Sequence, residues 1–483
     1  MTAEALDPGR LILPALRASP EGTFAREAGA IADALDLGVG GFIIFGGNAE
    51  SVRRLTTDLL RRAERPLLLA SDLERGAGQQ VEGLTEFPPP LALAAMGDAG
   101  VARWAGAVTA QEARAVGINW VFAPVADLDV LSENPIVQTR AFGHDPQRVA
   151  TLVRNWIEGC QGAGALACAK HYPGHGRTTT DSHITLPAVD AEEELLAGSD
   201  LVPFAVAAEC GVASMMTAHV AYPGLDPSGL PATLSRKIMD GLRRSLGFDG
   251  LVVTDALIMD GALVGRRESD AAVEALQSGV DLLLYPKDPR RVRDAVVSAV
   301  ETGALARPRI EEALRRYERA VAFATRSTPP VRRGPFDSAD ALADALLQQG
   351  MVRGDAPRLT GPLDLVVVDD DVGGPYPPGP TDYAVKALGP ELADRYTGGS
   401  RVVLVFAEPR AWKGRAGFGA ASLEALAGRA SDADLIVLFG HPRLVEAIPS
   451  DSPVLLAWHR QRLMQEAVAR WIRSRLSPSP PRP

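Results

Sequence analysis

At 483 residues the chain exceeds one ordinary domain, and two domains are expected. Hydrophobic residues make up 46% and charged residues 23%, the balance of a globular chain with ample core. A formal charge of −10, from 50 basic and 60 acidic residues with no dense basic cluster, argues against a nucleic-acid surface.

The N-terminus, MTAEALDPGR, has no basic region ahead of an apolar one, and no later apolar run reaches membrane-spanning length. This pattern predicts a cytoplasmic chain without leader or membrane contact. From residue 10 to about 325, short apolar runs alternate with longer amphipathic stretches. The runs at 10–16, 39–45, 66–71, 118–124, 165–169, 212–218, 250–254 and 280–285 read as strands. The stretches at 24–37, 51–63, 98–116, 146–162, 191–208, 235–246 and 269–277 read as helices. Eight such repeats over residues 1–325 predict a (β/α)8 barrel of the TIM type. An open doubly wound sheet is the alternative, weakened by the lack of a glycine-rich phosphate loop after the first strand.

Charged residues stand where the apolar runs stop: Asp72, Asp127, Lys170 with His171, His219 and Asp255. A barrel assembles its active site at the carboxyl ends of its strands. Repeated charges there predict one shared polar pocket, because an unpaired buried charge costs several kcal/mol. Helix capping accounts for one or two of these positions, not five.

Residues 326–337, with three prolines inside RSTPPVRRGPF, predict a linker. In 338–476, the runs at 365–368, 402–406, 435–439 and 454–457 predict buried parallel strands, and 420–428 with 463–472 predict helices. Together they form a smaller open α/β domain. The tail 477–483 is mostly proline and serine and is expected to fray. The three cysteines, Cys160, Cys168 and Cys210, match no metal-ligand spacing and read as small core residues of a reduced protein.

The densest chemistry lies in KHYPGHGRTTTDSH, residues 170–183, which holds three of the seven histidines. Pro173, Gly174 and Gly176 turn the chain out of its strand. Asp181 and His183 are two apart, so an extended backbone points both the same way. The carboxylate can then hold one imidazole nitrogen and leave the other for acid/base work. His175, between glycines, is equally suited to bracing the loop. Trp104 and Trp120 read as core rather than as sugar platforms.

KHYPGHG followed by a spacer and DSH resembles the signature of family 3 glycoside hydrolases, in the β-N-acetylhexosaminidase branch. NPIVQTRAFGHDP (134–146), SDLERGAGQQV (71–81) and GFDGLVVTDALIM (247–259) resemble that branch's arginine loop, aspartate loop and nucleophile strand, in order. The resemblance implies Asp255 as nucleophile, His183 as acid/base and Asp181 as its orienting partner. Asp72, Arg140, Lys170 and His171 would hold the sugar, and His219 would line the pocket. It implies a retaining, exo-acting enzyme that removes terminal β-linked N-acetylglucosamine from small oligosaccharides, such as cell-wall or chitin fragments, with no metal and no cofactor. Arg75 stands where the branch usually carries a glycine, which puts the path of that loop in question. Phosphorolysis or β-glucoside cleavage by the same residues stays open. A metal-dependent barrel hydrolase is the alternative from another class, although no histidine precedes His144 to start an H-x-H pair.

Overall fold

The computed structural model describes residues 7–180, 186–263, 265–326, 334–371, 378–392, 399–408 and 413–477. Two compact units emerge. The first comprises Met1–Glu86, Asp98–Val130 and Ala141–Gly334, and the second Phe87–Gly97, Leu131–Arg140 and Pro335–Pro483.

The first unit is a parallel barrel. Its strands are β1 (Ile12–Leu13), β2 (Ala15–Arg17), β3 (Gly41–Phe45), β4 (Leu68–Ser71), β5 (Trp120–Val121), β6 (Leu166–Tyr172), β7 (Ser214–Thr217), β8 (Leu251–Thr254) and β9 (Leu283–Leu284). Strands β2 to β8 pair in sequence order, all parallel. The first stave is split at Pro14, which has no N–H to give. Ile12 and Leu13 pair with β9, while Ala15 to Arg17 pair with β3. A bridge between Val253 and Leu282, with the Thr254 N–H on the Leu282 carbonyl at 3.0 Å, joins β8 to β9 and closes the ring.

The staves are buried along nearly their whole length, as a parallel sheet wrapped in helices requires. Trp120 is fully buried on β5 and its indole N–H donates to Ser214 Oγ at 2.8 Å, so it is core. The expected helix over 191–208 divides into Glu193–Gly198 and Val202–Glu209. The helix expected over 235–246 is α-helical only for Arg236–Asp240 and continues as one π turn, Gly241–Ser245.

In the second unit, β12 (Asp364–Asp369), β13 (Arg401–Ala407), β14 (Leu435–Gly440) and β15 (Val454–Leu456) form the parallel sheet that the apolar runs predict. An antiparallel edge strand, β10 (Met351–Arg353), flanks β15, and β11 (Leu359–Thr360) pairs with β16 (Leu476–Ser477). Cys160 and Cys168 are buried free thiols and Cys210 is half-buried and free. Among the described residues no helix is long and apolar enough to cross a membrane.

Candidate active site

Five staves deliver polar side chains to the carboxyl rim of the barrel. Asp72 follows β4, Asp127 lies beyond β5, Lys170 and His171 end β6, His219 lies beyond β7 and Asp255 directly follows β8. Strand β6 runs to Tyr172, three residues past the apolar run that announced it. Its register against β7 shifts between Lys170 and Tyr172, so two rungs of β7 face three residues of β6. An irregularity of this kind re-aims side chains. It lets neighbours Lys170 and His171 both serve the rim, where a regular strand would send them to opposite faces.

Lys170 is 2% exposed, and its ammonium lies 2.7 Å from Asp72 Oδ1 and 2.7 Å from Glu74 Oε1. A buried cation between two carboxylates satisfies the demand that buried charges be paired. Glu74 is itself buried, which the spacing of its motif did not disclose. The Arg75 guanidinium pairs with Glu86, and its backbone N–H donates to Gln79 Oε1 at 2.8 Å. The cation in the glycine position is therefore tied down beside the loop.

Asp127 is fully buried. One oxygen accepts the backbone N–H of His171 at 3.0 Å and of His175 at 2.7 Å. The other lies 2.7 Å from His171 Nδ1. Burial works to raise this carboxyl's pKa, but the charge and hydrogen bond of His171 and the contacts of His175 outweigh it and hold it below the usual range. His175 is also buried, with Nδ1 2.7 Å from the Thr178 hydroxyl. Removal from water lowers its pKa to about 4, against the pull of Asp127, so the ring is neutral near pH 7. The two rings meet edge to face at 5.9 Å.

His219 is fully buried, with Nδ1 2.8 Å from Thr233 Oγ1 and Nε2 3.2 Å from the Ala256 carbonyl. That carbonyl belongs to the residue after Asp255, whose own Oδ1 accepts the Ala256 N–H at 2.7 Å. The Asp255 N–H continues the ladder to the Thr217 carbonyl at 3.2 Å. The aspartate thus sits half-buried on a backbone held from two sides.

Burial pushes the Cys168 thiol, two residues inward from Lys170, up to about 12, and it feels the charges of Lys170, Asp72 and Asp255. His175 feels Asp127, His171 and Asp255. Asp72, Lys170 and Asp255 thus lie close enough to act on one thiol, and Asp127, His171 and Asp255 on one imidazole. Arg140 groups with the second unit, at the end of the 3-10 turn Gln138–Arg140, where its Nη1 donates to the Ile136 carbonyl at 3.4 Å. Asp181 and His183 lie outside the described residues. Among the described residues no group of three or more His, Cys, Asp or Glu is placed to hold a metal ion.

Comparison with known proteins places the chain in a family. Residues 19–320 match the model of the glycosyl hydrolase family 3 N-terminal domain. A β-hexosaminidase of Alkalilimnicola ehrlichii is 39% identical over 265 residues, covering 53% of this chain and 75% of that protein. A β-N-acetylglucosaminidase/β-glucosidase of Cellulomonas fimi is 33% identical over 290 residues, and the match covers 58% of this chain and only 51% of that longer protein. Among solved structures, a family 3 β-N-acetylglucosaminidase from Paenibacillus sp. superposes with a TM-score of 0.82 at 29% identity over 99% of both chains. With its family match spanning most of the barrel unit, the chain belongs to glycosyl hydrolase family 3.

Proposed function

We propose that the chain is a retaining, exo-acting β-N-acetylhexosaminidase. The observation that carries this reading is the half-buried Asp255 directly after β8, on the strand-end rim that also carries the Lys170–Asp72–Glu74 and His171–Asp127 groups. The names of the relatives, β-hexosaminidase and β-N-acetylglucosaminidase, support the sugar.

In the proposed reaction Asp255 attacks the anomeric carbon, and the glycosidic C–O bond breaks as His183 gives its proton to the leaving oxygen. A glycosyl ester on Asp255 results. Water then attacks the same carbon, His183 takes its proton, and the carboxylate departs, so the configuration is retained. Asp181 orients the imidazole. Asp72, Lys170 and His171 hold the sugar hydroxyls: the carboxylate accepts from a pair, while the ammonium donates.

The test is a panel of aryl β-glycosides, N-acetylglucosaminide, glucoside and xyloside, assayed with and without phosphate. N-acetylglucosaminide is expected to be preferred, with free sugar released in either buffer. The Asp255→Ala variant is expected to lose at least about 10³-fold in kcat/KM. Undiminished turnover by that variant, or sugar 1-phosphate as the product, would contradict the reading.

A further inference from the structure

Asp127 does something that neither its position after β5 nor the proposed reaction requires of it. The parallel ladder between the fifth and sixth staves continues past β5: Val125 bridges Lys170, and the Ala126 N–H donates to the Lys170 carbonyl at 2.7 Å. At the next rung a side chain replaces the backbone, since Asp127 Oδ1 takes the His171 N–H at 3.0 Å. The same oxygen takes the His175 N–H at 2.7 Å, so one atom pins both ends of the turn from which the segment toward Asp181 and His183 departs. His175 passes the anchor on, with its ring on the Thr178 hydroxyl and that hydroxyl on the His175 carbonyl at 3.0 Å.

The second oxygen decides a proton. An ionised carboxylate only accepts, so the His171 nitrogen 2.7 Å from Asp127 Oδ2 must be the protonated one. His171 Nε2 then carries a lone pair when the ring is neutral, and among the described residues nothing pairs with it. We propose that Asp127 is a positioning residue that fixes His171 as its Nδ1–H tautomer and so offers Nε2 as an acceptor to a sugar hydroxyl. This rests on the glycoside hydrolase reading, whose sugar supplies that hydroxyl.

Asp127→Asn separates the role from mere bracing. The amide oxygen can keep both backbone N–H bonds, while its NH2 faces Nδ1 and demands the opposite tautomer. The variant is expected to melt within about 5 °C of the parent, and to lose on the order of 10²-fold in kcat/KM. Nitrogen-15 NMR of the imidazoles is expected to show His171 as Nδ1–H in the parent and as Nε2–H in the variant. Adding the same change to His171→Gln is expected to cost less than about threefold more, because the two residues act as one unit. Two results would overturn the proposal: a parent His171 protonated on Nε2, or an Asp127→Asn loss of equal size with and without His171. A parent that turns over no N-acetylglucosaminide would instead fail the hydrolase reading, and the tautomer assignment, which needs no turnover, would still decide the part played by Asp127.

Discussion

Single side chains set the chemistry of the barrel mouth through their partners. Lys170 lies between Asp72 and Glu74, 2.7 Å from each. Removing one member of a fully buried ion group costs about 3–5 kcal/mol; here Glu74 is buried and Asp72 part-exposed, so the cost is smaller. Lys170→Met is therefore expected to lower the melting temperature by several degrees as well as to depress turnover, which calorimetry and an aryl-glycoside assay would read. His175 gives a sharper number. Burial holds its folded pKa at about 4, below its ordinary 6.5, so the unfolded chain binds a proton first as pH falls. Stability from this group is complete above pH 6.5 and is lost on acidification toward pH 4. An NMR titration is expected to find one imidazole still neutral at pH 5; a His175 midpoint near 6.5 would contradict the buried, neutral ring. Much at this scale was legible in the residues: the charges at strand ends and the KHYPGHG turn needed no coordinates. The grip of Asp127 on His171 was not, because the two are 44 residues apart and meet only through adjacent staves. His219 shows the same limit. Its place after an apolar run suggested a pocket wall, whereas the fold puts it under the Asp255 backbone, bonded to the Ala256 carbonyl.

At the scale of elements, the strands declared themselves by apolar runs, but their ends did not. The run of residues 165–169 stops at the first charge, while β6 carries on through Lys170 and His171 to Tyr172. A lysine inside a buried strand contradicts the apolar pattern, and only its carboxylate partners on another loop make it tolerable. The same blindness affects the turn that follows. Gly174 has a φ of +133°, a conformation that side chains rarely adopt. A Cβ on Gly176 would lie 1.9 Å from the Leu128 carbonyl oxygen, which is backbone and cannot yield easily. Gly176→Ala is accordingly expected to displace the 170–180 turn and cut kcat/KM by roughly tenfold or more. Wild-type kinetics from that variant would show the close approach to be unimportant. Further along, the expected helix over 191–208 breaks between Gly198 and Val202. The break presents Asp200 to Arg177 at 2.8 Å, a contact that ties the same turn to the next stave's helices. Helical periodicity alone could not reveal a break placed for a tertiary partner.

On the scale of the whole chain, the residues predict a barrel over 1–325 and a second α/β domain over 338–476, joined by a proline-rich stretch of which 327–333 lie outside the described residues. Phe87–Gly97 and Leu131–Arg140 nevertheless group with the second unit, since local pattern carries no record of which surface a loop joins. The strands β10, β11 and β16, two or three residues each, were too short to leave a periodic trace. The second unit has its own charged cluster at the carboxyl ends of its sheet. Lys413 lies 2.8 Å from Asp370 and 2.5 Å from Asp371, Arg415 lies 2.7 Å from Asp370, and Arg460 lies 2.6 Å from Asp369. Burial alone would raise the Asp370 pKa, but Arg415 and Lys413 overcome it and bring it to about 2 from an ordinary 3.8. A depressed carboxylate stabilises the fold above pH 3.8 and releases that stability between pH 3.8 and about 2. Acid unfolding followed by near-ultraviolet circular dichroism is expected to be less steep in this window for Asp370→Asn.

The proposed function turns on a carboxylate at the end of β8 that would become esterified by a sugar during turnover. The most direct measurement is peptide mass mapping of the protein quenched during reaction with a slowly turned-over fluorinated N-acetylglucosaminyl donor. One sugar on the peptide containing Asp255, and on that residue, is the result expected. A sugar found on another residue, or no covalent adduct together with release of the inverted anomer, would contradict it.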